Sequence, residues 1–252
     1  MTQQSPAPLL AASKALDEIT AIAATHQPPD KFTHDRLERA IKSSIPADAA
    51  FSYATLGALE AVSGNEELMD SYHKNSIQLC NDALMHRNYA CSLLHVSRVK
   101  EAAEQARIAA SLADGDLAVI QTAIVHTAYS GEITMAASLV ETYRKLAPAD
   151  TGTYQDLTKA ASMQKIAGIA DEEIKQLVQL ACDFLRSKQI HFVDQELIAD
   201  EEDEGFLSLC INLNLTNEEV WNFNRQLFEI MLDQVPNQSP HLSVRFARSH
   251  AA

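Results

Sequence analysis

Nine histidines, four cysteines and one dense acidic run are the side chains of this 252-residue sequence with the most chemistry to offer. The histidines stand at 26, 34, 73, 86, 95, 126, 191, 241 and 250, and no two form a His-x-x-x-His or His-Glu-x-x-His face. A tetrahedral zinc site needs converging Cys or His ligands, so no metal site is read from them. Cys80, Cys91, Cys182 and Cys210 form no Cys-x-x-Cys pair and lie in apolar contexts. Free cysteine in such a context behaves as a small buried hydrophobe, which points to a reducing, cytoplasmic setting and not to a disulfide framework. Nucleophilic catalysis needs a base-activated Ser, Cys or Lys, and the chain has no Gly-x-Ser-x-Gly elbow. It also lacks Gly-x-x-x-x-Gly-Lys and Gly-x-Gly-x-x-Gly, and with seven glycines phosphate cradles are scarce. No catalytic residue and no cofactor is assigned.

The acidic run Asp200, Glu201, Glu202, Asp203 and Glu204, followed by Gly205, invites a calcium reading. Asp200, Glu202 and Glu204 have the spacing of early loop ligands, but the bidentate glutamate that closes such a loop falls on Ile211. The run reads instead as a solvated hairpin tip, with docking to a basic partner as the alternative. Lys and Arg number 20 against 34 Asp and Glu, a formal charge of −14. A nucleic-acid binder carries a basic face and a duplex repels this balance, so no nucleic-acid partner is expected, and the acidic balance reads first as charge that keeps a protein soluble. No apolar stretch of about 18 residues is present, so no membrane span is expected. The amino-terminal segment has no basic start, and Asp17 and Glu18 interrupt its apolar run, which argues against a secretory signal.

The elements that would position any site are helices. Not one proline lies between Ala47 and Ala147, and an internal proline costs a helix about 3 kcal/mol. Helices are expected from near Pro8 to Thr25, where Leu9, Leu16, Ile19 and Ile22 recur at helical spacing, and from Lys31 to Ser43. Beyond Pro46 a repeat emerges. Gly64 and Gly131 are 67 residues apart, Ser97 lies between them, and Met69, Ala102 and Ala136 each follow a turn by five residues. About 15 residues of helical pattern flank each turn on either side, the signature of consecutive helical hairpins.

At these residues the chain resembles the tetratricopeptide-repeat family over roughly residues 50–148. Tyr53, the pair Leu56-Gly57 and Gly64 are spaced as that family spaces its aromatic, its Leu-Gly pair and its turn glycine. Gly131, Ala136 and Pro148 match its turn glycine, small packing residue and closing proline, while the middle unit matches only at Ala102 and Ala109. Glu60, Met69, Asn81 and Asp114 depart from the pattern. The resemblance implies a mainly α fold of stacked antiparallel hairpins, a TPR-like α-α superhelix.

Two more helices are expected over 151–166 and 171–187, the latter with Ile174, Leu177, Val178, Ala181, Cys182 and Leu185 facing inward. The period then changes to two. Leu207, Leu209, Ile211, Leu213 and Leu215 alternate with polar residues, predicting a strand with one buried face. Thr216 to Glu219 form a capping box that opens a helix, and Leu242, Val244 and Phe246 mark another strand. With a strand near Ile190 to Ile198, the end of the chain reads as a small β-β-α-β unit. The expected division is a helical-repeat domain at 1–188, with its repeat core at 47–148, and a small α+β unit at 189–252.

In the resemblance, the first helix of each hairpin lines a concave groove. The positions carried across are mostly small and apolar, with Arg87, Cys91 and His95 in the second hairpin and Gln121, Val125 and Tyr129 in the third. An apolar groove suits a helix or an extended peptide. Periodicity leaves two assignments open: an open groove, or residues packed against the first two helices or the carboxy-terminal unit. The function expected is a non-enzymatic protein-interaction scaffold, an adaptor, holder or regulator, with no nucleic-acid or membrane partner and with room for a homodimer. The alternatives are an acidic inhibitor that masks a basic partner, and an enzyme with a site between the repeats and the carboxy-terminal unit.

Overall fold

The computed structural model describes residues 7–150, 152–200 and 206–249. Among these, eleven helices and three strands make a mainly α fold of helical hairpins with a small carboxy-terminal sheet. The chain packs as two compact units, Met1–Asp114 and Gly115–Ala252. The division expected after Lys188 lies inside the second unit.

The first unit holds three helix pairs: α1 (Ala7–Thr25) with α2 (Lys31–Lys42), α3 (Ala49–Val62) with α4 (Glu66–Leu79), and α5 (Ala83–His95) with α6 (Val99–Ser111). The second unit holds α7 (Leu117–Tyr129) with α8 (Ile133–Leu146) and α9 (Gln155–Ile166) with α10 (Asp171–Ser187). It then continues with β1 (Asp194–Asp200), β2 (Phe206–Leu213), α11 (Asn217–Gln234) and β3 (Leu242–Arg248).

The same two local devices recur along both units. Gly64, Ser97, Gly131, Gly168 and Gln189 all take the left-handed conformation. Past each one, the next backbone N–H reaches back to a helix carbonyl, as in Asn65 to Glu60 at 2.9 Å, Arg98 to Leu93 at 2.9 Å and Glu132 to Thr127 at 2.9 Å. This closure satisfies carbonyls that a helix end would otherwise leave unpaired, and it turns the chain sharply. The second device is an aspartate at the start of four of the five hairpins, those opened by α3, α5, α7 and α9. Asp48, Asp82, Asp116 and Asp150 fall 34 residues apart. Each accepts a hydrogen bond from the backbone N–H three residues on: Phe51 at 2.9 Å, Met85 at 2.9 Å, Val119 at 3.3 Å and Thr153 at 3.1 Å. In the first three a helix follows at once. In the fourth, Tyr154 sits at φ 66° and the helix starts at Gln155, four residues later than the sequence pattern predicts.

The packing positions that follow the turns are sealed, since Met69, Ala102 and Ala136 are all inaccessible. Gly57 is small for a reason, because a Cβ there would stand 2.5 Å from the His73 ring of α4. Glu60, on the buried face of α3, is 4% exposed and lies 3.4 Å from His34 Nε2 of α2. The six inward residues expected on α10 are all buried.

The sheet has the order β1-β2-β3, with β1 antiparallel and β3 parallel to the central strand. The crossover between β2 and β3 is α11, opened by the capping box of Thr216 and Glu219. The expectation of one buried face on β2 is corrected, because from Leu207 to Leu213 every residue is buried. A central strand has neighbours on both edges, and here side chains of those neighbours cover its polar face. Asn212 Nδ2 donates to Asp194 at 2.5 Å and to Glu196 at 3.1 Å, and Arg245 Nε donates to Cys210 Sγ at 3.2 Å. Ile211, which takes the closing-ligand position of the calcium reading, is 1% exposed.

Candidate functional site: a cavity in each unit

Small residues on the first helix of a hairpin leave a hollow beside it. In the first unit this hollow is a cavity of about 370 Å³. Arg87, Cys91 and His95 project from one face of α5 into its wall, as their spacing of four predicts, and Phe51, Ala58 and Ala61 of α3 adjoin them. The far wall is α1, through Leu16, Ile19, Thr20 and Ala23. The groove is therefore partly closed by the chain's own amino-terminal helix, which also packs Ala15 and Ile19 into a core with Leu37, Ile41, Leu56 and Leu59. The His95 ring stacks on His26 with centroids 6.4 Å apart and planes 4° apart.

Cys91 is the one cysteine of the four that is exposed. Its thiol nonetheless lies in a concave wall crowded by protein atoms. That desolvation raises its pKa, with the Arg87 charge opposing. A thiol held protonated is a weak nucleophile at neutral pH, so sharing a wall with His95 does not make an activated pair.

The second unit has a cavity of about 460 Å³ between α7, the start of α9 and strand β1. Val125 and Tyr129 line it with Ile124 and Ala128, opposite Leu157 and the β1 residues Gln195 to Ile198. Gln121 does not line it. Its amide instead donates to the Tyr143 hydroxyl at 3.2 Å, which in turn donates to Asp150 at 2.9 Å. Three features mark the cavity. Tyr154, a bulky residue at φ 66°, forms part of the wall, and such strain persists only where surrounding structure enforces it. The Gln195 Nε2 is buried without a hydrogen-bond partner. The Tyr129 ring packs edge-on to Phe192 at 5.9 Å, and burial raises the pKa of its hydroxyl, the Gln195 backbone amide opposing and the Asp194 charge adding to the rise. The ionisable groups at the wall are the exposed carboxylates Asp156 and Glu196 and the two tyrosines.

Five of the six predicted groove residues thus fall into two sets, with Arg87, Cys91 and His95 together in one cavity and Val125 and Tyr129 together in another, while Gln121 lines neither. Of the acidic tip, Asp200 is the exposed end of β1, and Glu201, Glu202, Asp203 and Glu204 lie outside the described residues. Among the described residues no group of three or more His, Cys, Asp or Glu converges so as to hold a metal ion. No described helix is long and apolar enough to cross a membrane. Sequence reasoning left open an open groove or packing against the first two helices or the carboxy-terminal unit, and the structure sets α1 beside one hollow and β1 beside the other. Sequence reasoning did not single out Tyr154. The regular aspartates at 48, 82, 116 and 150 were the signal that could have located the start of α9 and its irregular entry.

Comparison of the chain with protein-family models, with curated proteins and with solved structures finds no match.

Proposed function

We propose that the chain is a non-enzymatic interaction scaffold of tetratricopeptide type that holds a partner peptide against its hairpin faces. The observation that carries this reading is the second unit's cavity, which apolar side chains, an unpaired amide donor, a strained tyrosine and two carboxylates line together. An extended segment matches that lining: its apolar side chains fill the hollow, a backbone carbonyl accepts from Gln195, and a Lys or Arg meets Asp156 or Glu196. The 34-residue spacing of the hairpin-opening aspartates supports the repeat assignment.

Selection of random displayed peptides against the purified protein tests the proposal. Enriched peptides should combine apolar residues with Lys or Arg. Their binding should drop at least about tenfold in Val125→Glu, with Cys91→Glu as the matching variant for the first unit's cavity and helix content unchanged in both. Peptides that bind both variants like the wild type would refute a groove site.

A further inference from the structure

The helix α11 has two apolar faces, and the fold uses one of them. Val220, Leu227 and Met231 are buried. Trp221, Phe228 and Leu232 are 72%, 60% and 57% exposed. Counted from Trp221, they fall at i, i+7 and i+11, so at 3.6 residues per turn they form a single stripe about 16 Å long. A sequence under no demand there places polar residues on a helix's solvent side, and an exposed apolar stripe of this kind, interrupted only at Arg225, fits a contact surface.

The charges around the stripe decide what can cover it. Glu218, Glu229 and Asp233 put three carboxylates beside the stripe, against Arg225 on the same helix and Lys188 of α10, which shares a hollow with Glu229 and Asp233. Glu219 is taken up by the capping box. A second copy of the chain would bring an identical acidic rim against this one, and like charges across an interface are costly. An anionic lipid surface is repelled for the same reason. A helix with an apolar face flanked by Lys or Arg satisfies both parts of the surface, its apolar side chains on Trp221, Phe228 and Leu232 and its cations on the rim.

We infer that the outer face of α11 is a docking surface for a basic amphipathic helix of a partner protein, centred on Trp221 and Phe228. It is distinct from the cavity beside α7 and does not depend on the peptide reading of that cavity. The partner carries an acid or amide opposite Arg225, the one cation in the stripe.

Trp221 is the single tryptophan of the chain, so its fluorescence reports this face alone. A designed Leu/Lys amphipathic helix, added to the full chain, should shift Trp221 emission to the blue and saturate. A Leu/Glu helix with the same apolar face should not. Affinity should fall about tenfold in Glu218→Gln/Glu229→Gln/Asp233→Asn, and by at least that much in wild type at about 0.5 M salt. Phe228→Ala/Leu232→Ala should abolish the shift while helix content stays constant. Equal binding of the Leu/Glu helix, or Leu/Lys binding that leaves Trp221 emission unmoved, would overturn the inference. So would a Trp221 shift on anionic vesicles, or sedimentation showing a dimer that Phe228→Ala dissolves, because either names a different occupant.

Discussion

Acid should loosen the first unit through one residue. His73 is fully inaccessible, with Nε2 2.8 Å from the Ser92 hydroxyl and its ring stacked on Tyr89 at 4.8 Å. Burial lowers its pKa from 6.5 to about 3, the Asp70 charge opposing. The folded form therefore binds its proton more weakly than the unfolded form. The stability this secures is fully present above pH 6.5 and is lost as pH falls toward 3. From pH 7 to pH 5 the unfolded chain takes up most of one proton and the native chain takes up almost none. That difference removes about 2 kcal/mol. The control is His73→Phe with Ser92→Ala, which keeps a ring over Gly57 and leaves no orphaned hydroxyl. Amide hydrogen exchange of α3 to α6, followed at both pH values, reads this unit by itself. Wild type should lose about 2 kcal/mol more than the double variant between pH 7 and pH 5. A variant that loses as much as wild type would refute the assignment to His73.

Two further substitutions probe the turns and the closest helix contact. Ser97→Gly should stabilise the first unit by about 1 kcal/mol, because Ser97 holds φ 59° and buries an unpaired hydroxyl; a lowered urea midpoint would contradict this. Gly57→Ala should cost about 2–3 kcal/mol, since the new Cβ meets three His73 ring atoms within 2.9 Å and that ring is inaccessible and stacked on Tyr89. Gly64→Ala meets nothing within 4 Å and pays only for its φ of 76°, about 1 kcal/mol. Equal losses at the two glycines, by chemical denaturation, would show that crowding is not what fixes Gly57.

Helix existence was legible because each helix announces itself locally. Its apolar face recurs at three and four, and its end needs a residue that tolerates positive φ. Gly64, Ser97 and Gly131 could therefore be picked out by spacing alone, even though Ser97 is not a glycine. The capping box at Thr216 and Glu219 was legible for the same reason, as both partners sit within four residues. What was not legible depends on long-range placement. Nothing local to Ser208, Cys210 and Asn212 says that Arg245, Asp194 and Glu196 will cover them. Nothing local to Trp221 and Phe228 says which face of α11 is buried, and only the orientation of α11 on its unit turns them outward. Gln121 had the position of a groove residue, but the hydroxyl of Tyr143 on α8 claims its amide.

The covering of each hollow by the chain's own segments limits what can enter it. An uncovered face of alanine and valine beside α5 or α7 would be a channel wide enough for a helix, about 10 Å across with its side chains. With α1 against one and β1 against the other, the remaining 370 and 460 Å³ lie near the lower end of ligand-pocket volumes. That is room for a few side chains of an extended segment and too little for a helix. A helical partner needs a convex or flat face that the fold has not already covered, and α11 supplies one, with Trp221 and Phe228 standing out from it. The two kinds of surface thus select by shape before they select by charge. In the proposed reading the cavities take extended chain and the α11 stripe takes a helix. The carboxylates beside the second unit's cavity and beside the stripe favour a cationic partner, whereas the first unit's cavity presents Arg87.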